Sequence, residues 1–134
     1  MGHAGQALVA RFYAEALNEK RLEVIDELIA ADFVEHGSPP VSGVDGFRAF
    51  VGNVVAAFPD LQFDVEDWIV EGDRVVARCR AVGTHRGELF GMPATENTVS
   101  WTAIHIWRVA NGRLVERWSE ADVLGLMEQL KPRH

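Results

Sequence analysis

The sequence holds a single cysteine, Cys79, in 134 residues. No intrachain disulfide framework can form, so the fold must rest on an apolar core, and a reducing, cytoplasmic setting is expected. Positive charge is also scarce: 13 Lys and Arg stand against 20 Asp and Glu, a formal net charge of −7. A chain without clustered cations gains little from releasing counterions off a phosphate backbone, which argues against nucleic acid as a partner. No run of about 18 apolar residues occurs, and the start Met1-Gly2-His3-Ala4-Gly5-Gln6 carries neither a basic-then-apolar leader nor Ser or Thr where a myristoylation signal needs one. No membrane span, export signal or lipid anchor is expected. The His, Cys and carboxylate residues lack metal-ligand spacing, and no glycine-rich phosphate loop follows a strand. Neither a metal nor a nucleotide cofactor is expected.

What is present reads as one folded domain over residues 1–134, with 48% hydrophobic and 25% charged residues. Leu8, Val9, Phe12, Tyr13, Ala16 and Leu17 recur at helical spacing and predict a helix over about residues 4–18. Leu22, Ile25, Leu28 and Ile29 continue the period as a shorter helix that ends before Phe33, so two helices are expected before any strand. Gly37-Ser38-Pro39-Pro40 breaks the chain, and Ser42 or Asp45 can cap a third helix with the stripe Phe47, Phe50, Val51, Val54 and Phe58. From residue 62 the period becomes two, with turn signals at Gly72-Asp73 and Asn111-Gly112. Strands are expected over about 62–71, 74–85, 97–110 and 113–122, with a short helix after Asp122. Helices first and a meander afterwards imply an α+β fold, its N-terminal helices on the concave face of a curved, mainly antiparallel sheet.

A two-residue turn at Asn111-Gly112 pairs Ala110 with Arg113. Carried down the hairpin unbroken, that register sets His105 opposite Trp118, Trp101 opposite Asp122, Ala103 opposite Glu120 and Trp107 opposite Glu116, all on one face. The first hairpin puts Trp68, Val70, Val75, Ala77, Cys79, Ala81, Gly83 and His85 on the same side. These small residues leave room for an apolar pocket beneath the helices. The other side carries Val76, Arg78, Arg80, Val82, Ile104, Ile106, Val115 and Arg117, apolar enough to predict a homodimer through the sheet.

Several segments in order, Phe33-Val34-Glu35-His36, Ala57-Phe58-Pro59-Asp60-Leu61, Gly83-Thr84-His85-Arg86-Gly87, Trp101-Thr102-Ala103-Ile104-His105-Ile106 and Glu116-Arg117-Trp118, with the ending Asp122-Val123-Leu124-Gly125-Leu126, resemble the SnoaL-like polyketide cyclases over nearly the whole chain. The resemblance implies the cone-shaped, barrel-like fold shared with ketosteroid isomerase and scytalone dehydratase. It also implies a cofactor-free intramolecular aldol ring closure of an aromatic polyketide ester, with a pocket Asp as acid/base; Asp122 is the matching position.

Ring closure needs a base beside one carbonyl and an acid for the oxygen of the other. Asp122 and His105 are therefore the candidate catalytic residues, although Asp122 equally fits the N-cap of the terminal helix. Phe12, Tyr13, His36, Trp68, Trp101 and Trp118 are the candidate substrate-binding residues, and a small apolar or aromatic metabolite is the expected partner. A non-catalytic binder of such a metabolite is the alternative. An epoxide hydrolase or isomerase on the same fold has less support, because no inward Asp-Arg-Asp set is visible and Tyr13 is the only tyrosine.

Overall fold

The computed structural model describes residues 2–37 and 40–131; Met1 of the predicted start and Ser38 and Pro39 of the predicted breaker lie outside the described residues. The first helix begins as α1 (Gly2–Arg11) and continues in wider π-helical winding over Phe12–Asn18. That winding turns Phe12, Tyr13, Ala16 and Leu17 together into the core. A 3₁₀ turn (Leu22–Val24) leads into α2 (Ile25–Leu28), and the chain then straightens into β1 (Ile29–His36).

This strand corrects the expectation that only helices precede residue 62. Phe33 and Glu35 alternate inward along β1, which lies parallel to the last strand. Its apolar spacing overlaps that of the preceding helix, and a distant pairing partner decides the outcome. β2 (Val41–Ser42) adds a short edge before α3 (Gly43–Ala57), which buries Phe47, Val51 and Ala57.

The remaining strands fall close to their predicted bounds: β3 (Gln62–Glu71), β4 (Arg74–Thr84), β5 (Thr98–Ala110) and β6 (Arg113–Ala121), followed by α4 (Val123–Gln129). Their order in space is β2-β1-β6-β5-β4-β3, one six-stranded mixed sheet whose end strands do not meet. The helices fill its concave side. Phe12, Phe33, Phe47, Phe58, Leu61 and Trp107 are almost completely buried there, and a fully buried aromatic or aliphatic side chain contributes about 2 kcal/mol.

Local contacts fasten α4 and the loop after β4. Gln129 takes the Ser100 N–H on Oε1 at 2.9 Å and donates Nε2 to the Ser100 carbonyl at 2.7 Å, which fastens α4 to β5. The loop after β4 is held by Thr95, whose N–H donates to His85 Nδ1 at 3.2 Å. Gly87 lies so close to α3 that an added Cβ would stand 2.4 Å from the Ala56 carbonyl oxygen.

The predicted register across the last hairpin holds only to Val109, opposite Leu114. Val115 is then skipped as a β-bulge, and Arg108 faces Glu116, Trp107 faces Arg117, His105 faces Ser119 and Ala103 faces Ala121. One extra residue reverses the facing of every side chain beyond it. This corrects two expectations. Trp118, Glu116 and Glu120 do not share the face of His105, and Arg117, predicted on the outer face, is buried inside.

Candidate active site

Across the sheet, the inward side chains stand in rows. Val70, Val75, Trp107 and Arg117 make one row, extended by Glu35 of β1. Beside it run Trp68, Ala77, His105 and Ser119, then Val65, Cys79, Ala103 and Ala121, then Phe63, Ala81 and Trp101. Part of the space over the small residues is taken by rings: Phe58 packs onto Gly83, where an added Cβ would meet it at 3.0 Å, and Tyr13 stacks on Phe63 with centroids 5.3 Å apart.

The first row is sealed and charged. Arg117 Nε donates to Glu35 Oε1 at 2.6 Å, with the two side chains 6% and 2% exposed. Its guanidinium lies 4.9 Å from the Trp107 ring and 5.1 Å from Phe47, so aromatic faces share in holding the cation.

Tyr13 links this row to the next. Trp107 Nε1 donates to the Tyr13 hydroxyl oxygen at 3.0 Å, and the same hydroxyl lies 2.6 Å from His105 Nδ1. Burial raises the Tyr13 phenol well above its ordinary value, so it keeps its proton. Burial first, and the Arg117 charge second, hold His105 well below the usual histidine range, so the ring is neutral. An indole N–H only donates, so the Tyr13 oxygen accepts from Trp107, while the direction of its bond with Nδ1 follows the His105 tautomer. When the phenol donates to Nδ1, Nε2 of the neutral imidazole carries the proton. In that tautomer His105 presents Nε2–H as a donor.

Nothing in the described chain accepts that donor. Among the described residues, the sealed side-chain polar atoms without a hydrogen-bond partner are His85 Nε2 and Ser119 Oγ. His105 Nε2 also makes no hydrogen bond there yet is not sealed, and the residue retains 6% exposure. The neighbouring thiol is inert: burial pushes Cys79 up to about 11.

Of the predicted residues, the structure gathers Tyr13, Trp68 and His105 into one cluster, with half-buried Trp101 further along the same wall, 5.0 Å from Phe58. Tyr13, at 3% exposure, positions His105 instead of lining an open surface. Phe12 is core, 5.0 Å from the Trp107 ring. His36 and Trp118 are not part of the cluster. They stack on each other at 5.0 Å on the outer face, where His36 Nε2 meets Glu116 Oε2 at 2.6 Å and Arg74 covers Trp118 at 4.8 Å.

Asp122 also stands away from His105. It is exposed, its Oδ1 accepts the Gly125 N–H at 2.9 Å as the N-cap of α4, and it borders an open depression of about 340 Å³ with Arg78, Thr102, Ala103, Ile104, Glu120 and Ala121. The expected facing of Asp122 and Trp101 is lost through the same bulge.

Sequence reasoning missed Glu35, Arg117 and Ser119. The one available signal was the alternation of Phe33 and Glu35, which marks a strand with an inward carboxylate in need of a cation.

The family model for SnoaL-like polyketide cyclases matches residues 7–130. The chain belongs to the SnoaL-like polyketide cyclase family. Among similar sequences, the nogalonic acid methyl ester cyclase of Streptomyces nogalater is 31% identical over 122 residues, covering 86% of this chain and 89% of the relative. The aklanonic acid methyl ester cyclase DnrD of Streptomyces peucetius is 28% identical over 127 residues, covering 91% and 88%. Among solved structures, TsrD from Streptomyces laurentii superposes with a TM-score of 0.89 at 29% identity, covering 98% of this chain and 97% of that one. A Jannaschia sp. CCS1 protein assigned to the SnoaL-like cyclases reaches 0.92 at 25% identity, covering 99% and 95%. The cone-shaped fold of this family is the fold of this chain.

Proposed function

We propose that this family member is a cofactor-free polyketide ester cyclase working at the inner face of its sheet around His105. The observation that carries the proposal is the neutral His105 ring, held by Tyr13 and Trp107 with Nε2 left for a ligand. In the reaction a proton leaves the carbon beside one carbonyl, the enolate oxygen is held by His105 Nε2–H, and the carbanion attacks the second carbonyl, whose oxygen takes a proton to become the alcohol. No redox step is involved and no leaving group departs. Trp68, in the same row, and Trp101, along the wall, supply flat apolar surface for an aromatic substrate.

The proton-carrying role assigned to Asp122 rests on its match to the family's acid/base position. To act on a substrate held by His105, its carboxylate must leave the Gly125 N–H. Asparagine caps a helix about as well as aspartate, so Asp122→Asn separates the two roles.

The test offers purified protein the methyl esters named for its relatives, without added cofactor. Ring closure is expected, with kcat roughly a hundredfold lower in His105→Ala and lower in Asp122→Asn at unchanged melting temperature. Absence of turnover in the wild type would leave a binder. Full activity in Asp122→Asn would move the proton step elsewhere. The exposed Ile104 and Val82 on the outer face, 47% and 41% accessible, support pairing of two copies through the sheet, checked by sedimentation. The inert buried thiol is consistent with a cytoplasmic workplace.

A further inference from the structure

Ser119 owes its inward position to the Val115 bulge and stands directly opposite His105 in the β5–β6 register. Residues facing each other in this way have Cβ atoms about 5 Å apart. The Ser119 hydroxyl is sealed from solvent and has no hydrogen-bond partner among the described residues. Leaving a buried hydroxyl unpaired costs about 1–3 kcal/mol, so its place on this wall calls for an explanation. His105 Nε2 beside it also has no hydrogen-bond partner among the described residues, and it is a donor in the tautomer whose Nδ1 accepts from Tyr13.

The surroundings give the pair a direction. On one side the row of Trp107 and Arg117 closes the wall, while on the other the next row carries the small side chains of Cys79, Ala103 and Ala121. Toward the small residues the side chains next to the pair are therefore the least bulky, with Ala103 adjoining His105 and Ala121 adjoining Ser119.

We propose that Ser119 and His105 form a two-donor oxyanion site for the enolate or phenolate oxygen of a flat aromatic ligand. Its place in catalysis rests on the cyclase reading; its existence as a binding site does not. Ser119 holds the oxygen on which negative charge gathers when the carbon proton leaves, and the two donors, fixed in advance by the sheet, need no rearrangement as that charge forms. A phenolate already carries such an oxygen and is the simplest probe of the site.

The experiment measures binding of 4-nitrophenolate, whose absorption band moves to shorter wavelength when its oxygen accepts hydrogen bonds, with nitrobenzene as the uncharged control of similar shape. Wild-type protein is expected to bind 4-nitrophenolate with a blue-shifted band. Ser119→Ala is expected to weaken that binding about tenfold, the worth of one hydrogen bond, and to reduce the band shift. Nitrobenzene binding should be unchanged, and the melting temperature unchanged or higher, because the hydroxyl has no partner to lose. Ser119→Thr, which keeps the hydroxyl, is expected to retain the shift. Failure of the wild type to bind the phenolate, equal phenolate binding by Ser119→Ala, or an equal loss of nitrobenzene would each overturn the proposal. Phenolate binding through Ser119 without turnover of any polyketide ester would leave the oxyanion site standing and remove the cyclase reading. Turnover that ignores Ser119→Ala in both assays would do the opposite.

Discussion

Replacing Arg117 by methionine isolates the energetics of the sealed row. The methionine keeps an apolar stem against Trp107 and Phe47, but Glu35, at 2% exposure, loses the cation that stood 2.6 Å from its carboxylate. Breaking a buried ion pair from one side costs about 3–5 kcal/mol, because the remaining charge has neither water nor a counter-charge. For a chain of this length that corresponds to a fall in melting temperature of roughly 10–20 °C. The Glu35→Gln/Arg117→Met double variant leaves no charge behind and is expected to recover most of the loss. Urea unfolding followed by tryptophan fluorescence measures both, with calorimetry for the melting temperature. A loss below about 1 kcal/mol in Arg117→Met, or a double variant no more stable than the single one, would refute the view that the uncompensated carboxylate dominates.

Two further outcomes follow from the same geometry. His105 is held neutral in the folded protein, whereas in the unfolded chain it takes a proton below about pH 6.5. Acidification therefore favours the unfolded state: stability is expected to fall from about pH 7 to 5, and His105→Gln to flatten that slope, with equal slopes in the two proteins counting against it. Deleting Val115 removes the bulge but keeps the same pairs opposed, because Glu116 then follows Leu114 and meets Arg108, and Arg117 still meets Trp107 on the inner face. Such a chain is expected to keep Arg117 against Glu35 and to unfold cooperatively; a deletion protein that no longer unfolds cooperatively would show that the extra residue itself, and not the facing beyond it, is what the strand needs.

The amino-acid sequence by itself determined the strands of the meander and the inner face of β4. Both rest on local physics. Gly72 and Gly112 take positive φ angles of 59° and 73° in the hairpin turns, and Asn111 joins them at 52°, a combination few residues adopt without strain. Strict alternation from Val75 to Ala81 leaves only one side of β4 fit for burial. The N-terminal helix and the cap at Asp122 were legible for the same reason, since capping and helical spacing act within a few residues.

Tertiary structure alone decided β1, the bulge at Val115 and, through them, the candidate site. β1 is a strand because residues far along the chain, Glu116 to Trp118, offer it a parallel partner, and no local propensity announces such a partner. The bulge has no mark in composition; it is set by which of two facings buries better. The inward facing places Arg117 against Glu35 and three aromatic rings and turns Trp118 and the carboxylates of Glu116 and Glu120 out. That choice put Ser119 beside His105 and left Asp122 at the rim. A single inserted residue moved half of a strand from one side of the sheet to the other, because side chains alternate with a period of two.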